Sequence, residues 1–398
     1  MANLLFLAHR IPYPPNKGDK IRSYHFFEHL AQDNQMFLGT FIDDPDDWQY
    51  LDKLKPMCAD SCFIGLNPWL AKIKCVQGLL TGQALSVPYY RSKALQAWVD
   101  RVIKAHGIDH VLVFSSVMAQ FVECYGDGLT RVVDFVDVDS DKWRQYADKK
   151  QGLARWIYRR ESRLLLQYER KTAQSAKAGI FVSPEEAELF KQLAGLEQGI
   201  DFIYNGVDAE RFSPALTFDN PYQPDEKVIV FTGAMDYWAN VDAVKWFAEE
   251  VFAKAALTGV NVKFYIVGAK PTPDVLALSK IPNVVVTGAV PDVRPFVAHA
   301  AWVAAPLRIA RGVQNKVLEA MAMAKFIMAT PAAMEGIATT EALDVSVSDS
   351  AEAMIKTLQT LVQQPAAQIS QRNRDFVRTR FGWRQNLQKL SALLQGAA

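Results

Sequence analysis

In the stretch GVQNKVLEAMAM, Gly312 to Met323, Lys316 and Glu319 stand three apart, so a helix would set an ammonium and a carboxylate on one face. Pro306 closes the apolar run before them, and the loop Leu307 to Arg311 adds Arg308 and Arg311. Gly312 permits positive φ or close backbone approach, and the helix start that follows Gly312 and Val313 offers free N–H groups to a phosphate. A second glycine, Gly233, ends the run Val228 to Thr232 and should also approach phosphate closely. Near the N-terminus, Gly18 lies in the turn Pro12 to Arg22. There Lys17, Lys20 and Arg22 could meet a diphosphate or an anionic acceptor, and Asp19 could orient an acceptor hydroxyl; a solvated turn is the other reading. Asp137 and Asp139 stand at D-x-D spacing. A calcium loop starting at Asp137 fails, because its sixth position is Lys142 instead of Gly and its twelfth is Asp148 instead of Glu.

These residues need sheets to position them. Short apolar or β-branched runs alternate with helical patterns, the order that builds parallel sheets covered by helices. In the first half the expected strands are Leu4–Ala8, Met36–Ile42, Val111–Phe114, Arg131–Val136, Gly179–Val182 and Phe202–Ile203. The second half repeats the alternation with Val228–Thr232, Val262–Val267, Val284–Thr287, Trp302–Ala305, Phe326–Ala329 and Val345–Val347. Each set of charged candidates then falls at the carboxyl edge of a sheet, where open α/β folds bind ligands. Three prolines in Ser213–Lys227 mark a boundary, giving domains 1–212 and 213–375 and a terminal helix, 376–398, that Gly382 should break and whose tail may be expected to pack back on the first domain.

Composition narrows the classes. The 398 residues suffice for two cores. Lys and Arg total 44 against 43 acids, a net charge of +1 that provides no global field for nucleic acid. No apolar run reaches the ~18–20 residues of a membrane span, and Leu4–Ala8 is too short for a signal-peptide core. A cytoplasmic location is therefore expected, with Cys58, Cys62, Cys75 and Cys124 as free thiols and no zinc site. The charge is uneven: Lys142 to Lys177 holds eleven Lys or Arg and three acids, interleaved with Trp143, Trp156, Tyr158 and Leu164–Leu166. An amphipathic helix lying on anionic lipid at the inner face of the cell membrane is one reading, a solvated helix face the other.

Leu318-Glu319-Ala320-Met321-Ala322, together with Asn205-Gly206-Val207-Asp208 and Phe212-Ser213-Pro214, resembles family 4 glycosyltransferases. The GAMDYWANVDAVKWF block after Thr232 resembles those of exosortase-associated (PEP-CTERM) exopolysaccharide systems. The resemblance implies a GT-B fold, two Rossmann-like, doubly wound α/β domains facing across a cleft, with the acceptor on the first and the nucleotide sugar on the second. It implies that Glu319 holds the nucleotide ribose through charge-assisted hydrogen bonds. It also implies retaining transfer from a nucleotide diphosphate donor, a UDP-sugar, to a lipid-linked or polysaccharide hydroxyl, with neither metal nor other cofactor.

The chain departs from the family where the leaving diphosphate is usually met. Ala234 and Ala239 stand where an Arg and a Lys are common, and Arg311 stands where a sugar-binding Glu is common. Arg308, Arg311 and Lys316 are therefore the expected substitutes, since charge stabilisation of the leaving group is usually the largest catalytic contribution. Asp137 falls roughly where the family often has a histidine. The alternatives are a GT-A-like transferase holding a metal on Asp137 and Asp139, a nucleotide-sugar epimerase, and a GT-B protein that binds sugar without catalysis. A dinucleotide dehydrogenase is not expected, as no G-x-G-x-x-G follows an expected strand.

Overall fold

The computed structural model describes residues 2–15, 18–257, 260–310, 312–337, 343–364 and 370–395. The first sheet holds β1 (Ala2–Ala8), β2 (Asn34–Ile42), β3 (Asp60–Gly65), β4 (His110–Phe114), β5 (Thr130–Val136), β6 (Ala178–Phe181) and β7 (Ile200–Phe202). Its order is β3-β2-β1-β4-β5-β6-β7, and every pairing is parallel. The second sheet holds β8 (Lys227–Thr232), β9 (Val262–Val267), β10 (Val284–Gly288), β11 (Trp302–Ala305), β12 (Phe326–Ala329) and β13 (Val345–Val347), in the parallel order β10-β9-β8-β11-β12-β13.

Both sheets follow from continuous apolar runs, because a parallel strand covered by helices on both faces has no solvent side and so no polar alternation. Leu4–Ala8 and Val228–Phe231 are buried throughout. The strand absent from the sequence reading is β3, DSCFIG. It is a half-buried edge strand opening on Asp60 and Ser61, and lacks the apolar continuity of its neighbours. Strand order reverses between β1 and β4 and again between β8 and β11, opening a crevice at the carboxyl ends of each pair.

The chain divides into two compact units, Met1–Tyr204 with Arg384–Ala398, and Asn205–Trp383. Phe381 and Gly382 separate the helices Gln371–Arg380 and Trp383–Gln395. Within the first unit, the last helix is held by Lys389 Nζ on the Asp201 carboxylate (2.6 Å) and by Asn386 Nδ2 on the Tyr204 carbonyl (3.0 Å). Within the second unit, the Asn205–Asp208 turn docks on the helix break: Val207 N donates to the Phe381 carbonyl at 2.8 Å. Gly206 lies flat on the Trp383 indole, where a Cβ would stand 2.4 Å from a ring carbon. Among the described residues no helix is long and apolar enough to cross a membrane.

Gly206→Ala should therefore force the indole aside and cost about 1–3 kcal/mol by overpacking. Thermal unfolding should show a melting temperature lowered by several degrees; an unchanged one would show that the ring yields freely.

Candidate active site

In the second unit β8 ends at Thr232, and the next residue, Gly233, adopts φ 157° while its N–H is held by the Val267 carbonyl at 3.0 Å. Two glycines meet here, since a Cβ on Gly268 would lie 1.7 Å from the Gly233 carbonyl oxygen. The helix Trp238–Trp246 sends the Asn240 side chain back to this turn, Nδ2 donating to the Ala234 carbonyl at 2.8 Å. Asn240 Oδ1 accepts from Lys316 Nζ at 2.6 Å. Lys316 is the second residue of the helix Asn315–Ala322, and its ammonium lies 4.3 Å over the Phe231 ring. A Cβ at Gly233 would come within 3.3 Å of that nitrogen. Gly312 takes φ 65°, and Gln314 Nε2 donates to its carbonyl at 2.9 Å. Val313 is buried against Gly336, which has no room for a Cβ.

The structure thus brings Gly233, Lys316 and Glu319 of the expected set to one crevice between β8 and β11, with Gly312 and Val313 leading into the same helix. Burial pushes the Lys316 ammonium down to about 7, against the pull of Glu319. Burial likewise pushes the Glu319 carboxyl up to about 7, against the charges of Lys316 and Arg211. Among the described residues neither side chain is hydrogen-bonded to an opposite charge, and perturbed groups of this kind cluster at functional sites.

The other cations differ in placement. Arg308 is held by Asp242, at 2.5 and 3.0 Å, and its guanidinium lies 5.7 Å from the Trp246 ring. It lines a cavity of about 570 Å³ whose wall also carries Asp236, Asp242, Glu249, Glu250 and Asp274, surroundings unsuited to a diphosphate. To join Lys316 it would have to leave Asp242. Arg311 lies outside the described residues, as does Lys17.

In the first unit Gly18 begins the helix Gly18–Asp33, with open space around it. Asp19 accepts from Arg10 Nη1 at 2.5 Å and lies 3.7 Å from His9 Nε2. Burial alone would raise its carboxyl, but the adjoining His9 ring and the Arg10 charge outweigh this and hold it well below the usual carboxylate range. His9 itself escaped the sequence reading; it stacks on Phe114, ring centroids 6.0 Å apart, at the β1/β4 crevice. Lys20 and Arg22 are not available for a diphosphate or an acceptor. Both are fully buried, Lys20 on Asp47 (2.5 Å) and Arg22 on Asp134 (2.6 Å) and on the Ile203 carbonyl. Asp137 and Asp139 are clasped by one cation, Lys142 Nζ, at 2.7 and 3.0 Å, so the D-x-D pair faces an ammonium.

Asn240, Phe231 and Gly268 were also missed. The available signal was an asparagine in a helix start just beyond Gly233, within the block already marked as unusual. Arg211, just before Phe212-Ser213-Pro214, adds a charge that favours the Glu319 carboxylate, which the spacing along the chain does not disclose.

Residues 226–364 match the family model described as glycosyl transferases group 1. No curated protein matches the chain. Among solved structures, sucrose-phosphate synthase from Thermosynechococcus elongatus is similar with TM-score 0.70 and 15% identity, over 100% of this chain and 99% of that one. HepE from Anabaena, in complex with UDP, has TM-score 0.66 and 14% identity over 100% of both chains. WaaG, a glycosyltransferase involved in lipopolysaccharide biosynthesis, has TM-score 0.64 and 16% identity over 99% of this chain and 100% of that one. At such identities the likeness defines the fold, GT-B with two Rossmann-like domains, and it replaces the GT-A alternative. The family match makes residues 226–364 a glycosyl transferases group 1 domain, and this supports the expected enzyme of the hexosyltransferase type.

The two shifted groups make stability depend on pH with opposite signs. Between 4.5 and about 7 folded Glu319 holds a proton that the unfolded chain has lost, so stability falls as pH rises. Between about 7 and 10.5 unfolded Lys316 holds a proton that the folded chain has lost, so stability rises with pH. Denaturant titrations across that range should show this contribution at its minimum near neutrality, and Lys316→Met with Glu319→Gln should flatten it. A double variant that kept the wild-type profile would refute the assignment.

Proposed function

We propose that this enzyme transfers a sugar, with retention, from a nucleoside diphosphate donor, a UDP-sugar, to a hydroxyl of a lipid-linked or polysaccharide acceptor in exopolysaccharide assembly. The observation that carries the donor half is the Lys316 ammonium between Asn240 and Gly233, one helical turn from Glu319. The pair matches the two ends of a nucleotide's polar backbone: Lys316 and the helix N-terminus take the diphosphate, Glu319 the ribose hydroxyls. HepE, of the same fold, has been solved with UDP and with UDP-glucose, which supports uridine as the base. The exopolysaccharide role and the lipid-linked acceptor rest on the GAMDYWANVDAVKWF resemblance.

In the reaction the bond from the anomeric carbon to the diphosphate oxygen breaks and a bond to the acceptor oxygen forms on the same face. The acceptor proton leaves with the diphosphate. Lys316, charged when the diphosphate is bound, stabilises the developing charge in place of the cation pair missing at Ala234 and Ala239; Arg311 is its proposed companion, and no metal or other cofactor is required. Asp19, kept ionised by His9 and Arg10, orients the acceptor hydroxyl, and Asp137 shares that side of the first unit's crevice. The enzyme works at the inner face of the cell membrane, which the basic segment 142–177 contacts.

Thermal-shift screening with UDP, GDP, ADP and their sugars should raise the melting temperature most with a uridine member. Lys316→Ala should lower donor turnover about 10²–10³-fold, and Glu319→Ala should weaken UDP binding about 10-fold or more. Because free Lys316 titrates near 7, UDP binding at pH 8 should take up protons, seen by calorimetry in buffers of different ionisation heat, and Lys316→Met should abolish the uptake. No shift with any nucleotide would defeat the donor reading. Nucleotide binding without turnover would favour the non-catalytic alternative, and product from donor alone the epimerase.

A further inference from the structure

The helix Pro68–Thr81 in the first unit is built inside out. Its small residues face the protein: Ala71 is buried, Cys75 Sγ donates to the Leu85 carbonyl, and at Gly78 a Cβ would stand 3.2 Å from Leu85 and Pro88 side-chain carbons. Three bulky apolar residues face outward, Trp69 77%, Leu70 59% and Ile73 55% exposed, within one turn, with exposed Lys72 beside them. A helix in water is stabilised by the opposite arrangement. Asn67 fixes its start, Oδ1 accepting from the Trp69 and Leu70 N–H groups at 2.9 and 3.4 Å, so the stripe is held in place.

A second such feature adjoins it. The helices Asp139–Asp148 and Gly152–Ser175 form a hairpin, and near its tip Leu153 is 72% and Trp156 58% exposed. Other apolar residues expected to face lipid are used internally. Trp143 packs on Tyr146 and Tyr158, and Leu165 is buried. Arg160 joins the two elements, donating to the carbonyls of Gly78 (2.9 Å) and Gln83 (3.1 Å) of the helix Pro68–Thr81 and the turn after it.

Charge selects the occupant. No acidic residue stands between Asp60 and Asp100, and from Arg144 to Arg163 seven Lys or Arg accompany two acids, of which Glu161 is buried. A second copy of the chain would bring the same surplus and be repelled. We infer that the helix Pro68–Thr81 is an interfacial anchor for an anionic lipid surface: Trp69, Leu70 and Ile73 enter the headgroup boundary, while the hairpin tip supplies the attracting cations and a second apolar contact through Leu153 and Trp156. The inference rests on the membrane contact proposed above, not on the donor chemistry, and it moves insertion to a segment outside 142–177.

Sedimentation of the full chain with vesicles tests it. Wild type should bind vesicles of equal parts phosphatidylcholine and phosphatidylglycerol at least about tenfold more tightly than phosphatidylcholine alone, and salt should weaken the binding. Trp69→Ser with Ile73→Ser should weaken it about tenfold or more while leaving the melting temperature and the UDP shift unchanged. Wild-type binding that the double variant leaves intact would overturn the anchor and leave the basic contact standing. Absence of wild-type binding would overturn both, as would equal binding to the two vesicle types. A dimer lost in the double variant, with no vesicle binding, would identify a second copy as the occupant and overturn the lipid assignment.

Discussion

A single half-buried ammonium organises the second unit. Lys316 lies on the Phe231 ring, is bonded to Asn240 and borders the Gly233 backbone, so its environment is assembled from one strand, the turn after it and two helices. Water is partly removed from the charge, and among the described residues no carboxylate is bonded to it. An ion pair there would have been cheaper for folding, but it would have spent the field on an internal partner. The turn is also kept free of side chains: a Cβ on Gly268 would run into the Gly233 carbonyl, and a Cβ on Gly233 would meet Asn240 Nδ2 at 2.8 Å.

The first unit uses charge differently. Its buried cations, Lys20 and Arg22, are closed into pairs with Asp47 and Asp134, and Lys142 spans Asp137 and Asp139. These pairs hold the β1 and β5 ends and the following helices in register. They leave His9, Arg10 and Asp19 as the cluster at the crevice, with Asp19 kept anionic by its neighbours. The cation of the second unit and the acid cluster of the first are the groups proposed above for the leaving group and the acceptor.

How much of this the sequence discloses depends on distance along the chain. Lys316 and Glu319 are legible because one helix repeat separates them, and the strands from β1 to β13 are legible, β3 excepted, because each is a local apolar run. Lys20 and Arg22 read as solvent-facing cations because their partners lie 27 and 112 residues away. Asn240 is hidden for the same reason, 76 residues from the ammonium it holds. Exposure is equally non-local: Trp143 and Trp156 look alike in the sequence, yet one fills the helical hairpin and the other projects from it.

The acid-free run between Asp60 and Asp100 has a consequence that precedes any contact. The whole chain carries a charge of only +1, so the surplus on this part of the first unit is balanced by a deficit elsewhere. Those basic residues are therefore set against a remainder of the chain whose net charge is negative. Near a negatively charged plane this basic part of the first unit would be attracted while acidic parts are repelled, which favours orientations with the Trp69 side toward the plane within about a Debye length, ~8 Å at physiological salt. Orientation, more than capture, is what such a distribution accelerates, and raising the ionic strength would slow productive encounters while leaving bulk solubility almost untouched.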